Sequence, residues 1–148
     1  MASAIVSSLH LLALALGLPG VYLRGRALRG PLDGPGLARL FAADTVWGAA
    51  AVLWVATGLL RAFGGLEKGS QFYLSSPLFW VKMSLLLLIF ALEVWPMVTF
   101  IRWRIARGRG QTPDTAHAGA LSAVNRVQVV LVVVMVFVAS LMARGIGL

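Results

Sequence analysis

The sequence predicts an all-α fold, a polytopic membrane protein built as an antiparallel four-transmembrane-helix bundle with its N-terminus and C-terminus outside. Three observations lead there. Residues 2–23, 40–63, 77–101 and 122–143 are apolar stretches of 22 to 25 residues, about 33 to 37 Å as helix and enough to cross a ~30 Å hydrocarbon core with some tilt. Only 12% of the 148 residues are charged against 59% hydrophobic, a balance that ordinary soluble domains do not reach. Each stretch also carries at least one ionisable residue at a depth where lipid would surround it. The whole chain, residues 1–148, reads as a single transmembrane domain.

The first stretch lacks a basic leader segment and ends in Leu18-Pro19-Gly20-Val21-Tyr22-Leu23. It therefore reads as a span and not as a cleaved secretory signal, which would end on small residues. The Gly30-Pro31-Leu32-Asp33-Gly34-Pro35-Gly36 run reads as a turn-rich loop before the second span, and Phe63-Gly64-Gly65 as its stop. Ser75-Ser76-Pro77 is a start signal for the third span, with proline in its first turn. Pro96 falls inside that span and is expected to kink it near Leu92. Gly108 to Pro113 separates the third span from the fourth. Tyr73 and Trp80 at one end, with Tyr22 and Trp103 at the other, read as interfacial belt residues.

The arginines set the expected orientation. Arg24, Arg26, Arg29 and Arg39 flank the first connection, and Arg102, Arg104, Arg107, Arg109 and Arg126 flank the third. The second connection and the tail hold only Arg61, Lys68 and Arg144. Nine basic residues against three place the two rich loops in the cytoplasm. A reporter fused after Leu148 should then read periplasmic; a cytoplasmic reading would invert the assignment. The net charge of +8 is mostly this topology signal. The lipid bilayer, with its anionic headgroups, is the expected partner, and no nucleic acid is needed to explain the arginines.

Counting rise per residue from the span ends puts His10 ~12 Å and Lys82 ~8 Å below the outer boundary, in one layer. Near the inner boundary, Asp44, Glu93 and Arg126 form a second layer, a buried polar cluster in which Arg126 is expected to neutralise Asp44 or Glu93, with Asn125 and Gln128 as hydrogen-bonding neighbours. Lys82 and Glu93 are 11 residues apart, close to whole turns, and so project from one face of the third span. An ionisable group inside a span faces the bundle and usually has a partner there. A histidine at the depth of His10 either bonds a neighbouring helix or ligates a metal or cofactor.

Several segments together resemble a bacterial membrane family, domain of unknown function 2214. They are Phe41-Ala42-Ala43-Asp44-Thr45-Val46-Trp47-Gly48, Thr57-Gly58-Leu59-Leu60-Arg61, Lys68-Gly69-Ser70-Gln71-Phe72-Tyr73-Leu74, Phe79-Trp80-Val81-Lys82-Met83, Trp95-Pro96 and Arg102-Trp103-Arg104. That resemblance implies four spans in a bacterial inner membrane and no established activity. The layout of His10, Thr57-Gly58 and Trp80-Val81-Lys82 is also similar to HemJ-type protoporphyrinogen oxidases. By that resemblance His10 and Lys82 would be the cofactor-binding pair for haem b, His10 the metal ligand.

Four helices can hold a flat apolar cofactor, with Gly17, Gly20, Gly48 and Gly58 allowing close approach and Trp47, Trp54 and Met83 packing its faces. Lys82 would ligate iron only as the neutral amine. His117 lies most of a bilayer away from His10, so a bis-histidine site would require a homo-oligomer. Three functions are therefore carried forward: a haem or porphyrin-binding redox protein, a non-catalytic accessory subunit of a larger membrane complex, and a proton or small-ion pathway through Lys82, Glu93, Asp44 and Arg126. There is no cysteine and no Gly-rich phosphate loop, which removes thiolate chemistry and nucleotide-binding enzymes of that kind.

Overall fold

The computed structural model describes residues 1–65 and 70–146. Helices α1 (Ala2–Ala27), α2 (Gly34–Phe63), α4 (Pro77–Gly108) and α5 (Ala118–Ala143) form the bundle, and a short α3 (Ser70–Ser75) precedes α4. All four long helices are long and apolar enough to cross a membrane. Lys68 and Leu148 of the orientation argument and Lys68-Gly69 of the family motif lie outside the described residues.

The long helices outrun the apolar stretches mainly at the basic end, because hydropathy marks where lipid begins and not where helical hydrogen bonding stops. Residues 24–27 continue α1, and residues 102–108 continue α4. Gly34-Pro35-Gly36, read above as loop, is the first turn of α2. Asp33 caps it, its Oδ1 accepting the Gly36 N–H at 2.8 Å, and Pro35 sits where its missing N–H costs nothing. Ser76 holds the matching cap position of α4 without making a side-chain cap bond. The helix of α1 continues through Pro19 and that of α4 through Pro96, as membrane helices tolerate when neighbours surround the freed backbone.

Helix α1 packs on α2 and on α5, and α5 packs on α4. Its contact face is the stripe Ala13, Gly17, Gly20, Val21, Arg24 and Gly25, spaced three and four residues apart as one face of a helix requires. A Cβ on Gly20 would stand 3.0 Å from the Trp47 backbone nitrogen, and one on Gly25 would stand 2.9 Å from the Asn125 Cβ. These glycines let α1 lie against two neighbours at once, the usual role of small residues between membrane helices. Gly20→Leu should therefore push α1 from α2 and cost roughly 1–3 kcal/mol by overpacking, read as a lower unfolding midpoint in detergent; an unchanged midpoint would mean that the contact is slack. By contrast Gly48 meets nothing within 4 Å, so no close approach depends on it.

Three apolar layers fill the interior. Leu28, Leu37, Leu40, Phe100, Trp103 and Leu121 pack at the basic end. Val21, Trp47, Ile89, Val132 and Met135 pack in the middle, and Ala62, Tyr73, Phe79 and Met142 at the opposite end. Two expected belt residues are thus interior ones: Tyr73 packs on Phe79, and Trp103 on Phe100. Tyr22 and Trp80 are exposed. The outward faces carry large apolar side chains such as Leu11, Val52, Leu87 and Phe137, which suits lipid.

Candidate functional site

At the basic end a single arginine joins all four long helices, and it is Arg24, fully buried. Its Nε donates to Asn125 Oδ1 at 2.7 Å. Nη1 donates to Asp44 Oδ1 at 2.9 Å and to Glu93 Oε1 at 2.6 Å. Nη2 donates to Glu93 Oε2 at 2.7 Å and to Gln128 Oε1 at 3.1 Å. A guanidinium has five N–H groups, and these five bonds use them all. Asp44 comes from α2, Glu93 from α4, and Asn125 and Gln128 from α5.

The acceptors are equally well supplied. Glu93 Oε2 also accepts from Trp47 Nε1 at 3.0 Å and from Gln128 Nε2 at 2.7 Å. The second oxygen of Asp44 accepts from Arg104 Nη2 at 2.8 Å, and the same nitrogen reaches the Phe41 carbonyl at 3.0 Å. Phe100 lies 5.4 Å from the Arg24 guanidinium carbon. Two arginines against two carboxylates make the cluster neutral, which is how charge is tolerated at this depth.

The structure thus brings Asp44 and Glu93 together but corrects the third member of the expected cluster. Arg126 is exposed and makes no ion pair among the described residues. It follows Asn125 by one residue, hence by about 100° around α5, and Asn125 and Gln128 already define the inward face. Arg24 was counted with the loop because the apolar run stops at Leu23. Its signal was available in the 13-17-20-24 spacing, which carries the small-residue stripe of α1 directly onto it.

The expected outer-layer pair meets differently. His10 and Lys82 line the same cavity, about 420 Å³, between α1, α2, α4 and α5 at the end away from the basic loops. That volume lies in the range of small-molecule sites, about 300–1,000 Å³. Trp54, Phe79, Met83, Leu86 and Met135 make its walls largely apolar, and Arg61 and Ser140 add polar atoms. Its described lining contains no Asp or Glu. Trp47, expected on a cofactor face, is instead committed to Glu93.

His10 is held on three sides. Its ring is 5.9 Å from that of Trp54 and rests on Gly58, where a Cβ would come within 3.3 Å of Cε1. Its Nδ1 is 2.9 Å from Thr57 Oγ1. The Thr57 hydroxyl has one proton, and it donates that proton to the Leu53 carbonyl at 2.7 Å. With that bond made, the hydroxyl accepts from a His10 ring that carries its proton on Nδ1, the tautomer this geometry favours. In the neutral ring the lone pair then belongs to Nε2, the nitrogen through which a metal would be bound, with the other ring nitrogen held by a hydrogen bond as metal-ligating histidines require.

Lys82 is half-buried, with Nζ 5.4 Å from the Phe79 ring. His117 is exposed and precedes α5, its ring 6.3 Å from Trp95; Trp95 is 13 residues beyond Lys82, about 20 Å along α4. Among the described residues no group of three or more His, Cys, Asp or Glu could hold a metal ion. His10 by itself could hold only a metal that arrives already coordinated. Between cavity and polar cluster lie Val21, Ile89, Val132 and Met135, an apolar layer without an ionisable group among these described residues.

The model of a family described as "predicted membrane protein (DUF2214)" matches residues 2–147. No curated protein and no solved structure matches the chain.

Proposed function

The chain belongs to the DUF2214 family of predicted membrane proteins, and from that premise we propose that this multi-pass membrane protein binds haem b or a related porphyrin in the His10 cavity and serves as a membrane redox protein. The observation that carries the reading is the state of His10. Thr57 Oγ1 lies 2.9 Å from Nδ1 of a histidine in a largely apolar cavity, an arrangement that orients the ring and suits coordination through Nε2.

The rest of the cavity suits the same group. A porphyrin brings four nitrogen ligands of its own, matching a site whose described lining offers one histidine and no cysteine, aspartate or glutamate. Apolar and aromatic walls from Trp54, Phe79, Met83 and Met135 exclude water and pack a flat macrocycle. Lys82 and Arg61 line the same cavity, and their cationic heads suit an anionic edge, such as the propionates of haem. When bound, haem supplies one-electron chemistry; the residues bind it, orient it and keep it dry.

Haem titration tests the reading, followed through the Soret band. The wild-type protein in detergent should bind haem saturably, one per chain. Thr57→Val, which removes the acceptor that orients the His10 ring, should weaken binding about 10–100-fold. Identical affinities would show that Thr57 does not set the ligand, and absence of saturable binding would remove the haem reading altogether.

A further inference from the structure

Away from the His10 cavity, a groove of about 440 Å³ runs along the outside of the bundle between α1 and α5, lined by Val21, Tyr22, Gly25, Arg29, Asn125, Arg126, Val129 and Val130. We infer that this groove holds one anionic phospholipid, its phosphate met by Arg29 and Arg126 and one acyl chain laid along Val129 and Val130.

The groove is amphipathic in the direction that a lipid is. Arg29 lies just past the end of α1, in a turn where its N–H bonds the Arg26 carbonyl. That places it where headgroups begin. Arg126 lies eight residues into α5, about 12 Å from the start of that helix, and its long stem can carry the guanidinium back toward the headgroup level. Val129 and Val130 continue the groove one turn further into the apolar zone.

The charge of this site is unanswered. Arg29 and Arg126 are exposed, and neither side chain makes a hydrogen bond or an ion pair among the described residues. Asp44 and Glu93 are committed to Arg24 and Arg104. Two guanidiniums beside an apolar wall call for an anion that also has an apolar tail, and basic pockets between membrane helices bind such headgroups. The floor is rigid, because Ser122 Oγ donates to the Gly25 carbonyl at 3.1 Å and Asn125 is held by Arg24 and by the Leu121 carbonyl.

Native mass spectrometry from micelles doped with phosphatidylglycerol or phosphatidylcholine tests the inference. The wild type should retain phosphatidylglycerol in preference to phosphatidylcholine. Arg29→Gln with Arg126→Gln should weaken that retention on the order of thirty-fold, about fivefold for each arginine. Arg107→Gln with Arg109→Gln, equally exposed at the same end, should change little. Val130→Trp tests the groove without touching charge and should also expel the lipid. Equal retention of the two lipids, full retention by either groove variant, displacement by equimolar inorganic phosphate, or a second copy of the chain in place of the lipid would each overturn the assignment.

Discussion

Arg24→Leu should destabilise the bundle more than any other single surface or core change considered, by about 3–5 kcal/mol, the cost of leaving buried charge without its partner. The loss would be read as a lower unfolding midpoint in detergent or in a denaturant titration. Five hydrogen bonds from one guanidinium reach Asp44, Glu93, Asn125 and Gln128, so all three other long helices lose a tie together. Arg24→Lys should fail to rescue, since an ammonium offers three donors without the planar fork that grips Glu93. Arg24→Leu combined with Glu93→Leu should recover part of the loss, because replacing a buried pair with apolar groups is far less costly than breaking it. Arg126→Gln is the control and should stay within about 0.5 kcal/mol of the wild type. An Arg24→Leu protein as stable as the Arg126→Gln protein would show that the cluster does not hold the helices.

His10→Ala should abolish the Soret absorbance of the purified protein. Its ring is pinned by Thr57, Trp54 and Gly58, and no second histidine is at hand, His117 lying beside Trp95 near the other end of the bundle. Lys82→Ala should weaken or shift the band without removing it, because Lys82 reaches the same cavity while the ring nitrogen supplies the bond to iron. His117→Ala should change nothing. A spectrum lost in His117→Ala and kept in His10→Ala would move the site to the opposite end of the protein.

The four spans were legible because lipid imposes a length and an apolar composition that few other folds share. What hydropathy could not show was the true ends of the helices. Arg24 was misplaced for that reason: the residue that completes the cluster sits on the first helical turn beyond the apolar run. Arg126 was drawn inward by proximity in sequence to Asn125 and Gln128, although a single residue step turns a side chain about 100° away from the face they share. Asp44 and Glu93 could be recognised as cluster members, since carboxylates at that depth need partners, but which partner they take depends on packing. Tyr73 and Trp103 followed the belt rule by position and escaped it by burial, because the long helices wrap them at both ends. The role of Thr57 was beyond sequence reasoning altogether. Only the short distances to His10 and to the Leu53 carbonyl reveal the hydroxyl as a partner of the ring.

The remaining functions carried from the sequence differ in what they require. An ion pathway needs continuity between the two polar layers, and Val21, Ile89, Val132 and Met135 stand between them. An accessory subunit needs no pocket, and the cavity then has no use. The most direct measurement is the absorption spectrum of wild-type protein gently solubilised from haem-replete cells, with haem content determined against protein. The account predicts a Soret band with one haem per chain; a colourless preparation that also takes up no added haem would contradict it.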